Sequence, residues 1–574
     1  MNGVLKYAIS IVLMTCLLHR AASQDVGNFF DDINKRIASK DYLNFSGNLS
    51  ANIRYNHISG INRRVDAFTS RINAALLVDF LGIKGPFSAA FSDGNLAYNL
   101  PAYGFYGFSP SYKWIQLHLG DRSMDFSPYS LSGHNFKGIG IELKPGKFYF
   151  GAMSGRLLRA RSADAGAIQN LDPIYKRIGR GVKLGYDDGD NQLGVILFHA
   201  KDIEESIQLG DSSKVRPQEN LVMEFQGKKS LGKLIEASFD LAHSSLTRDK
   251  TAPLLPDPPK GLNGANFGLL TPHSSTGHGQ AWNFALAFRP TFAGFTLGIE
   301  HISAGYQSLG RLAFLNDTEN ITLGVSTSLL KKKITLAGNL GVQRNGLSAS
   351  STLAGARLIG SANVSVLVSE RLNVSGSLSN LNYTMRQRVS PVPILVVDSI
   401  IIVQSNLSAQ LTSAYLIGAD KQSVLSLSAV YQNANSITDD QVNVMAENTF
   451  YSGMISYTMN IPDKGTSLTA SLLSSFTQVS DAQTSIISPT LGFQQKMLGD
   501  KLNIQAGLST SFLRIGSISG NRLWQGNIGG QWKLSKKQAL RSQLAYVSNT
   551  SSEAGTNFPS FTDINFQVGY MLSF

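Results

Sequence analysis

The chain has 574 residues, a formal net charge of +12, 43% hydrophobic residues and a single cysteine, Cys16. A mean hydropathy of −0.03 and the lack of any run of about 18 apolar residues exclude a polytopic helical membrane protein; the most apolar stretch, Pro391 to Val403, is broken by Asp398 and two prolines. One cysteine excludes disulfides, and it excludes thiolate metal sites and cysteine nucleophiles once Cys16 is removed with the leader described next.

Lys6, the apolar run Tyr7 to Leu18 and the small residues Ala21-Ala22-Ser23 have the order of an export signal over residues 1–23, cleaved before Gln24. An anchoring helix needs about 20 apolar residues, more than this run supplies. Thr15 before Cys16 is a poor match to a lipidation site. With Lys6 and Arg20 gone, the charge falls by two, to +10. Residues 24–41 form an N-terminal segment in which Val26, Phe29, Phe30, Ile33 and Ile37 follow helical spacing. A short amphipathic helix is one reading, an unstructured leader the other.

Further along, Tyr103, Phe105, Tyr106, Phe108, Tyr112 and Trp114 crowd one stretch of twelve residues. Read as an aromatic loop, it either lines a sugar slide or packs on a barrel rim as part of an aromatic girdle, the simpler reading. This stretch, YGFYGFSPSYKW, together with GDRSMDFSPYSLSGHNFKGIGIELKPGKF, resembles a region of large porin-like outer-membrane barrels of Bacteroidota. The resemblance spans about a tenth of the chain and implies no catalytic residue. Next come Arg156, Arg159, Arg161, Lys176, Arg177 and Arg180, in or beside one expected loop with only Asp164 and Asp172 between them. Folded inward, the loop is a constriction that attracts anions; folded outward, it binds anionic surface glycolipid, the somewhat simpler reading.

From there to the C-terminus the dominant signal is alternation. Trp282, Phe284, Leu286 and Phe288 alternate with Asn283, Ala285, Ala287 and Arg289, and the pattern returns at Ile321 to Leu329, Ile334 to Val342 and Leu502 to Phe512. Side chains two apart share a strand face, and segments of nine to eleven residues cross a bilayer at a tilt. Short polar turns are expected near Gly85, Gly146, Gly189, Ser230, Ala293, Lys332, Arg371, Asp420, Lys464, Gly499 and Lys536. Most are 35 to 49 residues apart; the two wider gaps hold the long segments Asn99 to Gly133 and Arg248 to Gly279. Eleven turns give twelve hairpins, hence a transmembrane antiparallel β-barrel over residues 42–574 with about 24 strands, 22 to 26 being admissible. Its short turns would face the periplasm and its longer loops the outside. A propeller repeats at a similar period, but four strands do not fit between these turns. The last residues, with Ile564, Phe566, Val568, Tyr570, Leu572 and Phe574 on one face, resemble the C-terminal assembly signal of bacterial outer-membrane barrels. That resemblance implies the outer membrane of a Gram-negative bacterium and its barrel-assembly machinery.

Little in the sequence points to catalysis. The histidines are scattered, with no pair at zinc-binding helical spacing. Asp187-Asp188-Gly189-Asp190 lacks the glutamate of a calcium loop and reads as a hairpin turn. No enzyme, cofactor or nucleic-acid partner is expected; the lysine-rich turns at Lys228, Lys331 and Lys536 are accounted for by solubility and orientation near anionic surfaces. The expected partners are outer-membrane lipids and lipopolysaccharide. Only about eighteen residues separate the signal from the first strand, too few for a globular plug. The first functional expectation is therefore a passive, porin-like channel for small solutes, narrowed by inward loops. The alternatives are a barrel subunit or docking partner of a larger outer-membrane secretion or nutrient-uptake assembly, and a surface adhesin.

Overall fold

The computed structural model describes residues 33–39, 42–62, 66–93, 103–162, 173–208, 215–256, 268–311, 316–347, 355–387, 400–418, 422–438, 441–442, 448–479, 482–516, 518–551 and 559–574. The expected export signal, residues 1–23, lies outside them.

Every wall strand pairs antiparallel with its neighbours in sequence, and the ring closes where the first strand, Leu43–Ser59, meets the last, Phe561–Ser573. That seam runs from Asn48 opposite Ser573 to Ser59 opposite Thr562. Closure removes both sheet edges, so backbone groups in the wall find partners within it. The result is an all-β, closed, antiparallel barrel of 26 strands.

Two strands beyond 24 have one main origin. Asn99 to Gly133 is not a single long segment: it contains the wall strand Tyr103–Phe108, continued by Ser111–Tyr112, a tight turn at Lys113 and Trp114, and the strand Ile115–Ser123. Pro110 breaks the run because it has no N–H to give the ladder. Gly85, expected in a turn, instead sits inside the strand Ile83–Ser92, where a side chain would strike the backbone of Ser109 and Pro110. The actual turn is at Leu81 and Gly82, both with positive φ.

The alternation of the sequence becomes an oily outside and a polar inside. In Asn191–Ile203, Leu193 and Val195 point out and are half exposed, while Ile196, Phe198 and Ala200 point in and are buried. In Gln538–Thr550, by contrast, the two faces are both exposed, Leu544 and Tyr546 outside and Arg541 and Gln543 inside. The inner wall is thus covered in one sector and bare in another. Near the short-turn end, Ile33 to Ala38 are helical, and Arg36 of this helix meets Asp79 at 3.5 Å.

Candidate functional site: a lumen divided by two inward loops

What covers the inner wall is the loop between Ile115–Ser123 and Asn135–Leu143. Its sequence, Met124 to His134, carries its own internal bonds: the Ser127 hydroxyl accepts from the N–H groups of Tyr129 and Ser130, at 3.1 Å each, and Phe126 N–H donates to the Leu131 carbonyl at 2.9 Å. Backbone satisfied within the loop need not be satisfied by water, which lets the loop lie inside. Met124, Phe126 and Leu131 then pack with Phe136, Ile196, Phe198 and Val222 in one buried cluster. Glycines make the room. A Cβ at Gly140 would collide with the Met124 sulfur, and one at Gly181 with the Phe126 ring.

A second loop, after Ala293–Ile302, descends onto the first. The Tyr306 hydroxyl donates to the Tyr129 carbonyl at 2.6 Å, the Ser308 hydroxyl to the Ser130 carbonyl at 2.5 Å, and Arg311 to the Pro128 carbonyl at 2.6 Å. The Tyr129 and Tyr306 rings meet edge to face at 6.3 Å. Asn220 of the wall anchors the second loop, accepting from Leu309 N–H at 3.1 Å and donating to the Gln307 carbonyl at 3.2 Å. Among these residues Tyr306 and Leu131 are fully buried.

Both loops are pinned to a row of wall acids and amides. Tyr129 donates its hydroxyl to Glu300 at 2.5 Å; Asn320 donates to the other Glu300 oxygen at 2.8 Å, and Gln343 to Asn320 at 2.9 Å. Ser127 donates to Glu224, and Lys183 to the Phe126 carbonyl at 2.7 Å. Burial, with the Glu300 charge adding to it, pushes the Tyr129 phenol far above its usual range, and burial does the same to Tyr306. Both hydroxyls stay protonated as donors.

No family model matches this chain, and no curated protein does. Among solved structures it is similar to the P pilus usher (PapC) translocation pore at 8% identity and TM-score 0.37, covering 93% of this chain and 100% of that one. It is also similar to the copper transporter OprC, at 8% identity and TM-score 0.42, over 93% of this chain and 80% of that one. A third likeness is to the FrpB iron transporter from Neisseria meningitidis, at 9% identity and TM-score 0.40, over 92% and 81%. Identities and scores this low leave the functional argument to the chain's own wall and loops.

The residues singled out from the sequence fall elsewhere. Arg156 and Arg180 are not in a loop but in the strands Phe148–Leu158 and Lys176–Asp187, and they face outward; Arg180 shares its face with the exposed Val182 and Leu184. Lys176 lies on the same outer face. Arg159 is exposed, and Arg161 bridges Ile174 through its backbone at 2.9 Å. Of the three cations singled out on this strand only Arg177 turns inward, where Asp202 holds it in a two-point ion pair at 2.8 and 3.0 Å. Residues 163–172 of that loop lie outside the described residues. These cations therefore do not form a common ring in the lumen: strand parity separates them, and the inward one is neutralised.

Nor is the aromatic stretch a loop. Tyr103, Phe105, Tyr106 and Phe108 belong to a wall strand, with Tyr106 and Phe108 on its outer face beside Leu119, and Tyr112 and Trp114 at its short-turn end. Lys137 lies 4.0 Å over the Tyr106 ring. At the C-terminus, Tyr570, Leu572 and Phe574 share the outer face with Phe566.

The two inward loops escaped sequence reading. MDFSPYSLSGH has the Ser, Pro and Gly content of any surface loop, and only the run of inward glycines opposite, Gly138, Gly140, Gly179 and Gly181, hints that something must fit against the wall.

Proposed function

We propose that this barrel spans the outer membrane of a Gram-negative cell and passes small solutes by diffusion through the part of its lumen that the two loops leave unfilled. The belt of exposed Leu, Ile, Val and Phe on its outer face suits lipid and not water. The observation that carries the channel reading is the bare inner wall. From Thr318–Leu329 to Ile400–Ile417 it is lined by small neutral polar groups, with Ser326, Ser328, Thr335, Asn363, Ser365 and Gln410 around a space of about 810 Å³. From Leu502–Ile515 to Leu43–Ser59 it presents amides and arginine. Exposed polar side chains in the interior of so wide a ring hold water, and a continuous column of water conducts. The test is single-channel recording from purified, folded protein in planar bilayers. Stepwise ion currents are expected; a folded protein that gives none sinks the reading.

A second reading belongs to the outer rim. Lys137, Arg156, Lys176, Arg180 and Lys201 lie on outward faces toward the long-loop ends of neighbouring strands, beyond the apolar belt. Cations at that level face the headgroups of the outer leaflet, and we assign them to the phosphates of an anionic glycolipid. Replacing Arg156, Lys176 and Arg180 by Ser should lower thermal stability in vesicles containing phosphorylated glycolipid and leave it unchanged in zwitterionic phospholipid. Equal loss in both would remove the assignment.

A further inference from the structure

The loops fill the acidic side of the lumen, where Glu224, Asp240 and Glu300 stand on inward faces of Glu219–Leu231, Ile235–Thr247 and Ala293–Ile302. Nearly half-way round the ring, at the closing seam, the inner wall has the opposite character. Hydrogen-bonded register places Lys496, Asn503, Gln531, Arg541, Gly569, Asn52 and Arg71 in one continuous row across six neighbouring strand pairs. Residues directly paired point to the same face, and a Cβ on Gly569 would meet the Asn52 amide, so that face is a common one. It is the inner face, since Leu544, Phe566 and Tyr570 of the same strands are exposed outside. Arg54, opposite Thr69 and Gln567, stands on the same face, one pairing step beyond.

Four cations, Arg54, Arg71, Lys496 and Arg541, thus line the seam, and each is exposed. Acids to neutralise them are scarce. Between Asn448 and Ser573 the described strands hold one carboxylate, Asp563, and the Asn56 amide occupies it at 2.6 Å. Asp79 of the adjoining strand is engaged by Arg36 and Lys84. Around Arg541 the groove, of about 460 Å³, is otherwise lined mainly by amides, Asn52, Asn503, Gln531, Gln543 and Gln567 among them. Amide N–H groups and a guanidinium fork together suit oxyanions, which accept several hydrogen bonds at once.

We infer that this seam is the path of the permeating solute and that it favours small anions bearing carboxylate or phosphate groups. The inference rests on the channel reading and adds the solute class and the residues that set it. Basic side chains on a pore wall raise the local anion concentration and exclude cations. The acids on the far side do not cancel them, because Glu224 and Glu300 are engaged by the loops and the width of the lumen separates them from the seam.

The experiment is the reversal potential of the full chain in planar bilayers across a potassium chloride gradient. Wild-type protein should show the sign of an anion-favouring pore, and the double variant Arg71→Glu with Arg541→Glu should invert it. Arg541→Lys should keep the wild-type sign, and inorganic phosphate should reduce the chloride current of wild type more than that of Arg541→Gln. Folding of each variant is checked by heat-modifiable migration; if the double Glu variant fails to fold, Arg71→Gln with Arg541→Gln should shift the potential toward zero. A cation-favouring wild type, or folded variants with wild-type selectivity, would overturn the anion path and leave a pore in place. A folded wild type without current would remove the pore and the path together.

Discussion

At the Tyr129 hydroxyl, one hydrogen bond joins a loop to the wall, and its worth follows from what is left behind when it goes. Tyr129→Phe strips Glu300 of one of its two donors in a half-buried setting, which costs about 1 kcal/mol. The expected result is a lower unfolding midpoint with noisier, larger currents; unchanged stability and current would count against the latch. Tyr129 and Tyr306 also predict a pH dependence. Both phenols hold their protons more tightly in the fold than in the unfolded chain, so their contribution is fully present below about pH 10 and is lost as pH rises above it. An alkaline absorbance titration of the folded protein should therefore leave at least two tyrosines untitrated where free phenol is ionised. Ionisation of all of them without unfolding would contradict that.

At the scale of one strand, parity decides what a substitution does. Leu544 and Gln543 are neighbours in Gln538–Thr550, one facing out and the other in. An arginine placed mid-belt on a lipid-facing position costs about 2–4 kcal/mol, whereas one facing the water-lined interior finds solvent. Leu544→Arg should thus destabilise the barrel by that amount in chemical unfolding from lipid vesicles, while Gln543→Arg should change stability little and selectivity measurably. Equal effects from the two would mean that the faces have been assigned the wrong way round. The same parity argument explains why the basic cluster read from the sequence disperses. Arg177 and Arg180 are three apart, an odd number, and three residues along a strand is a change of side.

For the whole molecule, what counts is how the ring's interior is shared. Two loops occupy the sector behind Asn135–Leu143 to Ala293–Ile302, whereas the wall from Thr318–Leu329 to Ile400–Ile417 and at the seam is polar and exposed. Replacing Asp125 to Ser132 by a short Gly-Ser linker should uncover Glu224 and Glu300 together. Conductance should rise, and selectivity should move toward cations as those acids meet the permeating water. A rise in conductance with no shift in selectivity would show that the acids stay shielded by something else.

The sequence by itself determined the architecture: alternation with period two, turns at regular intervals and an outward row from Ile564 to Phe574 leave a closed cylinder as the arrangement that pairs every backbone group. It also placed the strand number near its true value, missing the hairpin around Lys113 because Tyr103 to Trp114 is aromatic on both faces and so loses the polar half of the signal. What only the tertiary structure decided is which side chains meet inside. Arg71 and Lys496 lie more than four hundred residues apart and share a row solely because the ring closes at its seam. Loop burial is equally invisible along the chain, since Met124 to His134 goes inward by fitting the glycine faces of strands that are distant in sequence.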